Sequence, residues 1–526
     1  MDLTMPNYKP YDYNQSSMVV INYLGQLQAG TFEHSLHHLI DNRIDLSIFY
    51  PRYKNDDTGR PAYDPVILLK IILFAYSKGI TSSREIQWCC ETNIIFKALS
   101  CDSVPHFTTI AHFVSSHVEE IEDLFSQIVL ICDEQGLIGN ELFAIDGCKM
   151  SSNAAKEWSG THKELKNKAQ KIFRQIQYHV AEHQRIDGND TADEARRKRN
   201  EQAIETLNQG HKKITQFLKT QEPRIGQGKQ KKEVKSNITD NDSAKMTTSK
   251  GTLQGYNGVA TVDKRHQIII DAQAFGSGQE HHTLEPVLET IKARYKKLKL
   301  SNDVYQDNVI VTADTGFANE ANMQYLHERN INAYIPDNQF RSRDPKFANQ
   351  KAKYGKRHQK PKSQQSTKVI PASDFSFDPV ALTCICPSGE MISFRGERAD
   401  QHGNKRATFE GRLSQCNACD LKARCMKNPV SANHRKGSGR QVSFALSAGR
   451  KPTHTDWMKH RVDSPKGKLV YSHRMSVVEP VFANIGSQKR LNRFSVRGRP
   501  KVDSQWKLYC MVHNIEKISN YGSMAA

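Results

Sequence analysis

Two aspartates stand in matching settings. Leu142-Phe143-Ala144-Ile145 runs straight into Asp146 and Gly147, and Val309-Ile310-Val311-Thr312-Ala313 runs into Asp314, Thr315 and Gly316. Continuous apolar runs closed by a turn residue suit strands buried on both faces of a sheet. A carboxylate at the end of such a strand sits at the rim of the core, where a metal can reach it. Two acids presented this way are candidates for a shared cation site. The plainer alternative is that each caps a turn, a position Asp favours.

Cysteines form a second cluster. Cys384-x-Cys386 is followed by Cys416-x-x-Cys419 and, with five residues between, by Cys425. Thiolates at such spacing can share one tetrahedral Zn²⁺, and Cys386, Cys416, Cys419 and Cys425 are the candidate ligands. Two readings stay open, a structural zinc or reduced and unliganded thiols. An all-thiolate site leaves no open position for chemistry, but it would stabilise a small β unit that lacks its own core.

These residues need elements to hold them. At 526 residues the chain should form two to four domains. Residues 1–135 are expected to form an α-helical N-terminal DNA-binding domain, with a helical pattern from about 64 to 135. Asp64 and Pro65 suit a helix start, with Val66, Leu69, Ile72, Leu73 and Tyr76 at helical spacing. A second helix starts at Ser82-Ser-Arg84-Glu85, and a third near His106, Thr108 and Thr109. Two short helices joined by a polar turn suit a helix-turn-helix, with a plain helical bundle as the alternative. A polar helical tract covers about 156–220. A hairpin, a helix, the Asp314 strand, a helix and a short strand follow to about 338. That order makes an α/β unit with a mixed sheet resembling a ribonuclease H-like core. The segment 339–369 is a basic flexible linker, 370–467 is β-rich and bears the cysteines, and 468–519 returns to helix.

Charge and export signals narrow the partners. Seventy-five Lys and Arg against 56 Asp and Glu leave +19, which favours a polyanion, nucleic acid above all. No apolar run is long enough to span a bilayer. The start of the chain lacks a basic region followed by an apolar one, and 11 cysteines do not form a secreted framework. Reducing cytosol is the expected compartment, with no membrane partner.

Specific resemblance begins at Tyr471-Ser-His-Arg474-Met-Ser-Val-Val-Glu479-Pro-Val-Phe. This stretch resembles the tyrosine–arginine–glutamate signature of bacterial insertion-sequence transposases of the DDE type, in the superfamily with an insertion before the Glu. Gly59-Arg-Pro-Ala-Tyr-Asp-Pro65, the Ser-Ser-Arg84 helix, Ile145-Asp146-Gly147, Ala313-Asp314-Thr-Gly316 and the paired cysteines are similar to one branch of it. Two spacings differ from the best-known form. Four residues, not three, separate Arg474 from Glu479, and Gly486 stands where a lysine is expected, the first lysine being Lys489.

The resemblance implies that Asp146, Asp314 and Glu479 are catalytic and hold two Mg²⁺ or Mn²⁺ ions. Such ions activate water or a 3′-hydroxyl for in-line attack at phosphorus. It implies phosphate contacts from Tyr471 and Arg474, and cutting and joining of double-stranded DNA at terminal inverted repeats and a target. A homodimer in a synaptic complex, in bacterial cytoplasm on nucleoid DNA, goes with that reading. Lys489, Arg490 and Arg493, in a run of six positive charges without an acid from Ser487 to Lys501, are further DNA-binding candidates beside Arg84, His106, Thr108 and Thr109. The rival expectations are a transposase-derived DNA-binding protein without catalysis, and a metal-dependent nuclease that does not join.

Overall fold

The computed structural model describes residues 20–53, 61–187, 194–226, 230–248, 251–347, 369–399, 405–446 and 452–523. Most of the expected basic linker, 348–368, lies outside them. The chain divides into two compact units, Met1–Phe340 with Met458–Ala526, and Arg341–Trp457.

In the first unit, helices α1 (Phe32–Asn42), α2 (Pro65–Ser77), α3 (Ser83–Thr92), α4 (Ile94–Ser100), α5 (Phe107–Ser116) and α6 (Val118–Glu134) precede the sheet. Asp64 caps α2 as its type and position suggest, its carboxylate accepting from the Val66 N–H at 2.8 Å. The helix expected to run on from Ser82 is instead two. Asn93 ends α3 and caps α4 by accepting from the Ile95 and Phe96 N–H groups, an alternative that short amide side chains offer the backbone.

The sheet contains β1 (Leu142–Ser151), β2 (Ala244–Thr248), β3 (Gly251–Asp263), β4 (Ile269–Phe275), β5 (Ile310–Ala313) and β6 (Ala333–Tyr334). Its order is β2–β3–β1–β5–β6, with β4 also paired to β3. β1 runs antiparallel to β3 from Phe143↔Asp263 to Ser151↔Gly255 and parallel to β5 from Leu142↔Ile310 to Ile145↔Ala313. Between β1 and β2 the polar tract forms a hairpin, α7 (His162–Asp187) and α8 (Glu194–Thr220). It has a core of its own from Leu165, Ala169, Ile172, Ile176, Ile214 and Phe217. Helices α9 (Leu284–Lys297) and α10 (Glu320–Glu328) follow β4 and β5.

Two C-terminal helices, α11 (Pro465–Ala483) and α12 (Arg499–Tyr521), return to this unit. α12 is buried over most of its surface, as a helix with apolar residues all round must be. Tyr509 stacks on Tyr76 of α2 with ring centroids 4.4 Å apart, and the Trp506 indole donates to the Val259 carbonyl of β3. The Asn514 amide both accepts from and donates to Ile269, where the β3–β4 register shifts. The helices before the sheet therefore pack on the C-terminal helix. They share a core with it, because α12 has apolar side chains to bury on more than one side.

Buried charge ties the same layers together. Arg294 of α9 donates to Asp271 of β4 and to Glu122 of α6, each at 2.6 Å, and Lys507 of α12 reaches Glu122 at 3.0 Å. Their combined positive charge holds the Glu122 carboxyl down at about 2 against the cost of its burial.

Proline 480 does not break α11. Proline leaves the carbonyl four residues earlier without its helical N–H, and here the Gln267 side-chain amide donates to that Ser476 carbonyl at 3.1 Å. The break comes later, as a π-helical turn over Asn484–Gln488.

The second unit is an antiparallel meander of β7 (Ser376–Asp378), β8 (Thr383–Ile385), β9 (Met391–Ala399), β10 (Lys405–Glu410) and β11 (Gln441–Ala445). Its core is small, centred on Ile370, Phe375, Cys384, Ile392, Ala407, Phe409, Cys425 and Val442.

Candidate functional site

Pairing between β1 and β5 stops at Ile145↔Ala313, so Asp146 and Asp314 are the next residues along two adjacent parallel strands. Crevices beyond the carboxyl ends of parallel strands are where α/β sheets bind ligands. Asp314 does end its strand, but Asp146 does not, because β1 continues to Ser151 on its pairing with β3. The sequence run of apolar residues stops at Asp146 where the β5 neighbour stops. The strand itself goes on because its other neighbour does.

One cation lies between the two acids. Arg474 on α11 donates to Asp146 Oδ2 at 2.8 Å and lies 3.6 Å from Asp314 Oδ1. Its side chain is only 9% exposed, against 21% for Asp146 and 42% for Asp314. Burial raises the Asp146 carboxyl above its usual range, opposed by Arg474 and by the Gly147 N–H that donates to Oδ1. Tyr471 packs edge-on against Phe340, with the Arg474 guanidinium 5.8 Å from its ring centre.

Glu479 does not share that face. Arg474, Val477, Val478 and Val481 are buried, whereas Glu479 is exposed. The added residue between Arg474 and Glu479 accounts for this. Each helical residue turns the side chain by about 100°, so a fifth step carries Glu479 past the buried stripe that a fourth step reaches at Val478. Among the described residues no group of three or more His, Cys, Asp or Glu stands arranged as a metal cage.

A carboxylate that the sequence reading passed over does lie near the aspartates. Glu280 comes from a 3₁₀ turn between β4 and α9. A Cβ on Gly316 would meet Glu280 Oε2 at 2.0 Å, and one on Gly147 would meet Oε1 at 3.1 Å. The Glu280 carboxylate thus passes over Gly147, next after Asp146, and Gly316, two residues after Asp314. Burial raises its carboxyl, and the negative charge of Asp146 raises it further. Its sequence signal was faint, an acid in a polar Gly-Ser-Gly-Gln loop.

The basic candidates assemble in a groove. Arg84 and Phe107, from α3 and α5, line it together with Asn153, Arg490 and Arg493. The Arg84 guanidinium lies 4.5 Å from the Phe107 ring centre. Arg493 donates to Asn153 Oδ1 at 2.9 Å, and its backbone bridges to Ser151 at the end of β1. Arg490 crosses Gly79, a residue with φ +75° whose Cβ would come within 3.0 Å of the arginine. His106 and Thr108 are exposed and bonded to each other at 2.7 Å, while Thr109 is half-buried.

Lys489 is not part of that surface. Its ammonium is buried and paired to Glu516 at 2.6 Å, with Asn484 as a second partner. Burial lowers its pKa, and Glu516 opposes the shift. Glu516 and Asn484 hold this lysine inward although basic residues surround it in sequence.

In the second unit Cys386, Cys416, Cys419 and Cys425 line one cavity. Cys384 does not join them; it lies in the unit's core. A Cβ on Gly411 would come within 2.7 Å of the Cys416 sulfur and one on Gly439 within 3.1 Å, so small residues make room for it.

Comparison with known families adds two matches. Residues 385–519 match the family described as a transposase DDE domain, and residues 22–116 match one described as a transposase domain. The first span contains Arg474, Glu479 and the four clustered cysteines; the second contains Arg84, His106, Thr108 and Thr109. No curated protein matches the chain. No described helix is long and apolar enough to cross a membrane.

Proposed function

We propose that this chain, whose two matched domains are those of a DDE-type insertion-sequence transposase, cleaves double-stranded DNA at its element's terminal repeats and joins the freed ends to a target. One observation carries the reading. Asp146 and Asp314 emerge side by side from adjacent strands, with a single buried guanidinium between them. The strand order, with β3 antiparallel beside a parallel β1–β5–β6 run, supports a ribonuclease H-like core.

The donor set suits Mg²⁺ or Mn²⁺, being carboxylate oxygens that burial makes costly to leave without a cation. Asp146 and Asp314 would hold two such ions. Bound there, they would supply a deprotonated nucleophile and relieve charge on the leaving oxygen. Arg474 neutralises the aspartates at rest and lies close enough to pass to a scissile phosphate, where its planar fork binds two oxygens. Arg84, Arg490 and Arg493 would grip the phosphate backbone along the groove, and His106, Thr108 and Thr109 present polar groups beside it. Glu479 is proposed as the acid recruited when DNA is bound. A π-helical turn follows α11, a feature frequent at functional sites. Two copies on paired DNA ends would form the synaptic complex. Cys386, Cys416, Cys419 and Cys425 would hold a structural Zn²⁺.

The test is a plasmid carrying the DNA that flanks this coding region, incubated with protein and Mg²⁺. Nicks at the repeat ends and strand-transfer joints are expected, and Asp146→Asn or Asp314→Asn should abolish both. Nicks without joints would indicate a nuclease. The exposed position of Glu479 favours a second reading, a DNA-binding protein without catalysis; repeat binding with no cleavage in Mn²⁺ would establish it.

A further inference from the structure

We infer that the outward face of α7 is a second DNA-binding surface, an arm that lies along the phosphate backbone of the duplex beyond the part held in the groove. This rests on the transposase reading and adds a contact outside both matched spans.

Charge along the helix carries it. Leu165, Ala169, Ile172 and Ile176 of α7 face the hairpin's own core. At about 100° per residue, the opposite face holds Lys163, Asn167, Lys171, Arg174, Tyr178 and Arg185, every one exposed. No acid lies on it. Between Lys163 and Arg185 the helix has two, Glu164 and Glu182. Both turn aside to partners from other segments, Glu164 to Lys235 at 3.0 Å and Glu182 to Arg196 at 2.7 Å. Arg185 also reaches Glu182, at 3.3 Å, but Lys163, Lys171 and Arg174 form no ion pair among the described residues. Lys171 and Arg174, one turn apart, repel each other until an anion joins them.

The other helix shows that this is not the general composition of the hairpin. The outward stripe of α8 holds Glu194, Lys198, Glu201, Glu205, Lys212 and Lys219, three of each sign. Such a mixture serves a face that meets only water, whereas a face of one sign attracts a polyanion. The α7 stripe has no aliphatic side chain larger than Ala181, so it suits a phosphate ridge and not the acyl boundary of a membrane. It spans about 33 Å, close to one turn of B-DNA.

The root of the arm ties it to the groove. Asn153 accepts there from Arg493 and, through its carbonyl, from Arg497 at 2.6 Å. Ser159 and Gly160 then pair with Asn237 and Ser236, which clamps the two ends of the hairpin together. The Asn237 amide donates to the Ala155 carbonyl at 2.9 Å. Lys163 follows Asn153 by ten residues, a reach of at most about 36 Å, so a duplex seated in the groove needs about one further turn to meet the stripe.

Hydroxyl-radical footprinting and a salt series test this, with the full-length protein on a duplex of the DNA that flanks its coding region. Lys163→Gln, Lys171→Gln and Arg174→Gln combined should flatten the dependence of log affinity on log salt by about 2.7, at about 0.9 per phosphate. The footprint should shorten at one end by about ten base pairs. Lys198→Gln, Lys212→Gln and Lys219→Gln combined, an equal loss of charge on α8, should leave the footprint at full length. An unshortened footprint in the first variant, or equal shortening in both, overturns the inference. Should the first variant lose helix by circular dichroism, acetylation of the unaltered chain gives the answer. Bound DNA should protect Lys163 and Lys171, and equal reactivity with and without DNA overturns the inference. Loss of binding to anionic phospholipid vesicles with an unchanged DNA footprint would overturn it in favour of a membrane surface. If the arm fails any of these while Arg490→Ala still weakens DNA binding, the transposase reading stands; an unaltered chain that binds no DNA overturns both.

Discussion

At Asp146 the balance of two opposed effects sets behaviour. Burial favours the neutral acid, and Arg474 favours the carboxylate. Arg474→Gln removes the second effect, so the carboxyl should move further up. A carboxylate whose folded pKa is raised works against folding as pH climbs through that value and is harmless below the unfolded one. The variant should therefore lose about 3–5 kcal/mol of stability at neutral pH, the scale for breaking one side of a buried pair, and little below about pH 4. Urea denaturation at several pH values checks this. Mn²⁺ should restore more stability to the variant than it adds to the parent, because an ion replaces the missing charge. The aspartates were legible in sequence because an apolar run ending in an acid and a glycine is a local pattern. Glu280 was not, since nothing local distinguishes it, and its meaning comes from two glycines far away in the chain.

Elements carry the next set of expectations. In α12 His513 is fully buried, its Nε2 bonded to the Gln267 carbonyl at 2.9 Å, and burial pulls its pKa down to about 3. Unfolding lets the imidazole take a proton. Its contribution is thus present above the unfolded pKa and lost as pH falls from about 6.5 toward 3. Stability should drop by about 1.4 kcal/mol per pH unit in that window, a slope that His513→Leu removes. In the second unit, one zinc per chain is expected by elemental mass spectrometry, falling severalfold in Cys419→Ser; protein free of zinc as purified, with none taken up, would leave reduced thiols. Spacing alone suggested both cysteine pairs, yet Cys384 lies within β8 in the core, whereas β8 ends at Ile385 and Cys386, just beyond it, lines the cavity. On α11 the sequence signature was plain, but the helix periodicity that turns Glu479 outward outweighs it in this state.

Over the whole molecule, helices at the start of the chain and the segment after α11 meet in one basic groove, a convergence that no sequence window contains. Composition pointed only to the sign of such a surface, since a charge of +19 favours an anionic partner. Arg84→Ala, Arg490→Ala and Arg493→Ala should each weaken DNA binding and flatten the dependence of log affinity on log salt by about 0.9, measured by fluorescence anisotropy across a salt series. Lys489→Ala should leave that slope alone and lower stability instead, because its ammonium neutralises Glu516 inside the fold. One strand joins these two workplaces. β1 presents Asp146 midway and meets Arg493 at Ser151, five residues on, a span of about 17 Å at strand rise. A paired strand neither stretches nor bends freely, so in the proposed reaction it would work as a ruler between the gripped backbone and the bond to be cut. Because alternate residues face opposite ways, evolution can recalibrate that ruler only by two residues at a time.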